Sequence, residues 1–167
     1  MSIVFNADEI FSMGVQIEKN GQLFYKTAAA RTSEPQIAKL FSTLADWESK
    51  HVKTFEELRG QVKDHNEEEN LYDPDNIIHQ YLKAAASQYV FVDENSIVEK
   101  ATACTSTSEA LSMAISFEKD SVVYYSSMKE MVRGDLGKEH IDKLIREELS
   151  HIGQLNEELS KLKENNR

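Results

Sequence analysis

The 167 residues carry a formal net charge of −10, with 40% hydrophobic and 29% charged side chains, a balance that suits one globular domain large enough to bury a core. No cluster of Lys and Arg stands ready to neutralise phosphates, which excludes nucleic acid and anionic membrane surfaces as partners, and no run of 18 apolar residues can span a bilayer. One cysteine, Cys104, excludes an internal disulfide or a thiolate-held zinc or iron–sulfur centre, and the opening MSIVFNADEI lacks a basic leader, so the expected location is cytoplasmic.

Gly and Pro are scarce, and both prolines, Pro35 and Pro74, fall outside the strongly periodic stretches, so the chain is predicted to be mainly helical. The first helix starts at a capping box, Asn6 with Glu9, with Phe5 and Ile10 placed to staple its first turn, and runs from about 7 to 31. Its inward stripe is Phe11, Gly14, Glu18 and Tyr25, so an acid lies within the apolar face. A second helix begins near Ser33, with Pro35 in the first turn and Gln36 completing another capping box, and extends to about 63. Ile37, Phe41, Leu44, Glu48, His51, Phe55 and Leu58 follow one another at helical spacing along its buried stripe.

Residues 64–72, DHNEEENLY, read as a solvated loop. Asp73-Pro74 opens a shorter helix, about 74–90, with Ile77, Ile78, Tyr81, Leu82, Ala85, Tyr89 and Val90 on its apolar face, and a small piece follows at about 95–103. Together these make a crossover of about forty residues whose apolar face must cover the bundle or a second copy, and a homodimer is the expectation. The third long helix opens at Ser106 with Glu109 and runs to about 133, where Gly134 is suited to end it; its stripe is Leu111, Ala114, Ile115, Glu118, Val122 and Tyr125. The fourth, from about 136 to 163, buries Ile141, Leu144, Ile145, Glu148, His151, Ile152, Leu155 and Leu159.

The two halves repeat at an offset of one hundred residues. Ser12-Met13 through Ile17-Glu18-Lys19 to Tyr25 lies over Ser112-Met113 through Phe117-Glu118-Lys119 to Tyr125, and Glu48-Ser49-Lys50-His51 lies over Glu148-Leu149-Ser150-His151. On a helix, Glu-x-x-His leaves its two side chains roughly 60° apart and about one turn apart along the axis, converging on one point. Four such helices, each over about 35 Å long at 1.5 Å per residue, assemble as an antiparallel bundle with the polar residues at mid-height. The predicted fold is all-α, a four-helix bundle with hairpins at about 7–63 and 107–163 and a long, partly helical crossover at about 64–106.

That level of the core would hold Glu18, Glu48, Glu118, Glu148, His51 and His151. A single inward Glu or His is unremarkable, but four buried carboxylates need cations, since an unpaired buried charge costs several kcal/mol. Lys19 and Lys119 stand about 100° off the stripe and reach solvent. Two divalent ions would balance the charge, and carboxylate with imidazole suits iron or manganese, with zinc able to occupy the site.

This pattern resembles the ferritin-like superfamily, and within it the rubrerythrin-related di-iron carboxylate proteins, on Ile17-Glu18-Lys19, Tyr25, the Glu48 to His51 stretch, Phe117-Glu118-Lys119-Asp120, Tyr124-Tyr125 and the Glu148 to His151 stretch. The resemblance covers the chain from the first to the fourth long helix. It implies two iron ions bridged by Glu48 and Glu148, with Glu18 and His51 completing one and Glu118 and His151 the other. Tyr25 and Tyr125 resemble tyrosines that hydrogen-bond ligating carboxylates; ordinary core packing is their other reading. Rubrerythrins proper have a further glutamate one turn from the one matched by Glu118, where this chain has Ile115 and Ser121, so redox-linked ligand exchange is in doubt. They also append a rubredoxin domain with paired Cys-x-x-Cys, so here electrons are expected from a separate donor protein. The long crossover is unlike the plain connection of cage-forming ferritins, which argues against a storage shell.

The implied activity is a di-iron oxidoreductase of oxidative-stress defence, a peroxidase reducing hydrogen peroxide or, second, dioxygen. The alternatives are a protein that sequesters iron without turnover and a metal-free helical interaction module. Of the other candidates, Cys104 reads as a small hydrophobe; His65, His79 and His140 fall off the ligand stripes or in connections, His79 being the one a crossover helix could bring nearest. Trp47 is expected to point about 100° away from Glu48, towards helix packing or a subunit contact.

Overall fold

The computed structural model describes residues 6–63, 73–85, 93–132 and 137–165. They form six helices: α1 (Ala7–Arg31), α2 (Pro35–Lys63), α3 (Ile77–Ala85), α4 (Glu94–Ala103), α5 (Thr107–Met131) and α6 (Lys138–Asn165). The four long ones are the all-α bundle that the periodicity predicts. The loop 64–72 with His65, the Phe5 half of the staple, Tyr89 and Val90 and the stop at Gly134 lie outside the described residues.

Capping sets the register locally. Asn6 accepts from Glu9 N–H while the Glu9 carboxylate receives Asn6 N–H, closing the predicted box at α1. At α2 the expected Ser33 and Gln36 box is not what forms. Ala38 N–H donates to the Glu34 carbonyl, and the Gln36 amide reaches across to Glu158 on α6 instead. Pro35 is the first helical residue, which puts Glu34 rather than Ser33 at the cap position. At α5 Ser106 accepts from Glu109 N–H as predicted, but the Glu109 carboxylate turns one residue further back, to Thr105 N–H.

The core divides into two apolar clusters. One joins Ile10 and Phe11 of α1 to Phe55 and Leu58 of α2, Tyr125 and Met128 of α5 and Ile141 and Leu144 of α6. The other joins Phe24 and Ala28 of α1 to Ile37 and Phe41 of α2, Leu111 and Ala114 of α5 and Leu155 and Leu159 of α6. The start of α1 therefore meets the ends of α2 and α5, and α1 runs antiparallel to both, while α6 runs with α1. Because α2 and α5 run the same way, the connection between them must climb back along the whole bundle. The two crossover helices do this: Leu82 and Ala85 of α3 join the first cluster, and Ile97 and Ala101 of α4 join the second. Among the described residues of the crossover, Leu82, Ala85, Ile97 and Ala101 are buried against this chain's own bundle, while Ile77 stays 67% exposed.

Two glycines test this packing in opposite senses. Gly137 leads into α6 at φ 69°, and a Cβ there would stand 2.3 Å from Leu58 Cδ2; Gly60, in α2, has nothing within 4 Å of that position. Gly137→Ala is expected to cost about 1–3 kcal/mol, and Gly60→Ala to add about 0.5–1 kcal/mol through helix propensity, both read from urea denaturation midpoints at constant slope.

Candidate metal centre

Between the two apolar clusters lies a single polar layer. Glu18 comes from α1, Glu48 and His51 from α2, Glu118 from α5, and Glu148 and His151 from α6; all are buried, the most accessible being Glu48 at 4%. Glu18, Glu48, His51 and Glu148 each offer one ligand-type atom within 4.8 Å of the others, and so do Glu48, Glu118, Glu148 and His151. Glu48 and Glu148 belong to both sets, so the two sets share an edge.

Both imidazoles turn Nδ1 inward. His51 Nδ1 stands 3.4 Å from Glu18 Oε2, 3.6 Å from Glu48 Oε2 and 3.0 Å from Glu148 Oε1. His151 Nδ1 stands 3.0 Å from Glu148 Oε2 and 3.6 Å from Glu118 Oε1, and the rings stack 5.8 Å apart. His51 Nδ1 and Glu148 Oε1 nevertheless lack the alignment of a hydrogen bond, and neither buried atom has a hydrogen-bond partner. Leaving such atoms unmet costs about 1–3 kcal/mol each, more for charged groups, whereas a cation between them would use both lone pairs. The donor set, carboxylates and neutral imidazoles without thiolate, fits iron, manganese or zinc.

Protons supply a second way to balance the layer. Burial first, then the neighbouring carboxylates, push Glu48 and Glu118 well above the usual carboxyl range. Burial also works against ionised Glu148, but hydrogen bonds from Glu118 and His151, with the positive charge of the nearby His51 imidazolium, outweigh it and hold this carboxyl low. For the imidazoles burial favours the neutral form, yet the surrounding carboxylates win: His151 is pushed up to about 9, and His51 is raised further. The sequence argument that buried acids demand metal therefore needs amending. Without metal, imidazolium and protonated carboxyl groups can carry the charge, and a metal must displace those protons to bind.

The expected tyrosines lie against this layer reciprocally. Tyr25 hydroxyl donates to Glu118, and Tyr125 hydroxyl to Glu18, so each half orients the lone glutamate of the other. Burial and the nearby carboxylates raise both phenols well above their usual value, which keeps their protons available for these bonds.

Two neighbours were missed. Glu147 places Oε2 3.1 Å from His51 Nε2, on the outer side of the ring, the position of a carboxylate that fixes a histidine's tautomer. Trp47, expected to face away, lies across the outside of both imidazoles, its ring 6.4 Å from His51 and 6.1 Å from His151, with Lys50 Nζ 3.8 Å above it. The signal was present: Trp47 precedes His51 by four residues, a spacing that stacks side chains on one helix face. The His79 backbone N–H donates to the Asp73 carboxylate, neither four-residue donor set includes His79, and His140 is exposed. Cys104 is half-buried, its thiol pushed up by burial.

A family model described as Rubrerythrin matches residues 9–107, a stretch that holds Glu18, Glu48 and His51 and ends before Glu118. Among solved structures, the chain is similar to a Thermotoga maritima protein described as a ferritin-like diiron-carboxylate protein, with a TM-score of 0.66 and 23% identity over 92% of this chain and 93% of that one. At that identity the likeness is one of fold. No curated protein sequence matches significantly. Among the described residues no helix is long and apolar enough to cross a membrane.

Two measurements follow from this geometry. The raised His151 contributes stability that is whole below the unfolded value of about 6.5 and is lost as pH rises through about 9, and Glu48 and Glu118 act in the same direction. Chelator-treated protein is expected to melt at a lower temperature at pH 9 than at pH 6.5, while the gain in melting temperature on adding Mn(II) grows over that range; a gain independent of pH contradicts proton displacement. Trp47 is the sole tryptophan, so Fe(II) is expected to quench its emission with an end point at two ions per chain, and His51→Ala or His151→Ala to weaken the titration tenfold or more. Emission indifferent to Fe(II) removes the metal from this layer.

Proposed function

The chain belongs to the rubrerythrin family, and from that premise we propose that it is a non-haem di-iron oxidoreductase that reduces hydrogen peroxide in preference to dioxygen, with electrons from a donor outside these 167 residues. The observation that carries the reading is the pair of four-residue donor sets sharing Glu48 and Glu148. Glu18, Glu48, His51, Glu118, Glu148 and His151 would hold two iron ions, which when bound would supply one electron each; two electrons and two protons convert one hydrogen peroxide into two waters.

The chain's own part is to build and protect that layer. The clusters containing Phe55 and Phe41 close it from either end of the bundle, keeping bulk water from a site whose electrostatics depend on low polarity. Tyr25 and Tyr125 hold the lone glutamates in one orientation, and Glu147 holds His51 with Nδ1 inward. With Cys104 the only cysteine, these residues carry no rubredoxin-type centre, which supports an external donor.

Anaerobic loading with Fe(II), followed by a metal count and stopped-flow mixing with peroxide and with air-saturated buffer, tests this. The expected result is two irons per chain, oxidation at least tenfold faster by peroxide than by dissolved oxygen, and repeated cycles when a chemical reductant restores Fe(II). A single oxidation that cannot be reversed favours iron sequestration. Protein that folds equally well and retains no metal defeats both readings and leaves a helical interaction module.

A further inference from the structure

On the face of the layer away from the histidines, a cavity of about 50 Å³ opens between α1 and α5 beneath the crossover. Glu48, Glu118 and Tyr25 line its buried end, Phe117 and Ile97 its sides, and Lys100 of α4 its more exposed part. Neither histidine borders it, and of the two tyrosines that meet the lone glutamates only Tyr25 does.

The space exists because of two small residues. Gly21 and Ser121 stand three positions after Glu18 and Glu118, one turn further along the same helix faces, and both line the cavity. Glycine inside a helix costs about 1 kcal/mol relative to alanine, and nothing in the helical backbone at 21 requires it. A Cβ there would rest 3.4 Å from Glu48 Cδ, in ordinary contact, so a methyl group fits and any longer side chain enters the cavity. The roof comes from the crossover, whose Ile97 is buried.

Size and charge select the occupant. One water needs at least roughly 10–15 Å³ by this measure, so the cavity takes at most about three to five waters and falls far below the roughly 300–1,000 Å³ typical of pockets for drug-sized ligands. Lys100 and Asp120 put opposite charges in its lining, so it favours neither an anion nor a cation. What fits is a neutral, hydrogen-bonding molecule of a few heavy atoms. We propose that this cavity admits unsubstituted hydrogen peroxide to the carboxylate side of the metal layer and rejects organic hydroperoxides, with Gly21 and Ser121 setting its capacity and Phe117 its width. The identity of the oxidant rests on the function proposed above; the cavity as a route for small neutral molecules does not.

The test uses the Fe(II)-loaded full chain, with metal content and Trp47 quenching checked for every variant. Wild type is expected to react with hydrogen peroxide at least a hundredfold faster than with tert-butyl hydroperoxide. Gly21→Leu and Ser121→Leu should slow the hydrogen peroxide reaction at least tenfold, and Phe117→Ala should speed the tert-butyl hydroperoxide reaction at least tenfold. Nitric oxide, a neutral two-atom probe, gives a readout free of turnover: its binding to the Fe(II) protein, followed by electron paramagnetic resonance, should need at least tenfold more gas in the leucine variants. Because Gly21→Leu presses on Glu48 and can cost iron, Ser121→Leu and Phe117→Ala decide the matter if metal content falls. Leucine variants with full metal and wild-type rates and nitric oxide affinity overturn the cavity while leaving the function standing. Wild type inert to every peroxide, yet losing nitric oxide binding on filling, overturns the function and keeps the cavity as the route.

Discussion

Four carboxylates held in one layer of an apolar bundle are the constraint from which the rest of this structure follows. Glu18, Glu48, Glu118 and Glu148 are each less than 5% exposed, and carboxylates packed at this density cannot all stay ionised without a compensating charge. Protons on the imidazoles and on Glu48 and Glu118 are one compensation, and divalent ions are the other. The layer can thus be balanced by protons as well as by metal. Histidines beside the acids suit both: an imidazole can carry a proton or offer a lone pair to a metal.

Holding that layer in place dictates the path of the chain. An acid near the middle of each long helix meets the others only if the helices cross at the same level, and the two apolar clusters above and below fix that level. The chain order that achieves this runs α2 and α5 in the same direction, which forces a climbing connection. Once forced, the connection serves a purpose, because α3 and α4 close the side of the bundle where α1 and α5 would otherwise leave Glu48 and Glu118 open to water. Burial of Leu82 and Ile97 holds those short helices, which are below the length at which isolated helices persist in water.

Much of this was legible in the sequence because helical periodicity is a local property and the repeat at one hundred residues doubles every signal. The bounds of the long helices, the Asn6 box and the inward acids all follow from spacing alone. What spacing could not supply was the meeting of different helices. Glu147 lies beside the stripe of α6 and looks like a solvated acid until α2 brings His51 against it. Gln36 reads as a capping residue until Glu158 of α6 outbids its own backbone. Trp47 was misjudged by counting angle from Glu48 when the relevant neighbour was His51, one turn on. That Leu82 and Ile97 of the crossover pack on the bundle depended on the direction of α5, which no local pattern encodes.

The repeat itself sets up the last point. Glu18, Glu48, His51 and Tyr25 recur as Glu118, Glu148, His151 and Tyr125, so the inner residues are symmetrical by type. The residues just outside them are not. Trp47 corresponds in position to Glu147, and Gly21 to Ser121. His51 has a carboxylate 3.1 Å from its outer nitrogen whereas the Trp47 ring lies against His151, and a carboxylate there makes an imidazole the stronger base. The two imidazoles therefore have different surroundings despite identical chemistry. Likewise Tyr25 borders the cavity and Tyr125 does not, so equivalent hydroxyls meet different surroundings. A doubled hairpin supplies matched polar groups, and differences one to three positions away from them give its two halves different surroundings, which no change among the six inner residues could do without breaking the charge balance of the layer.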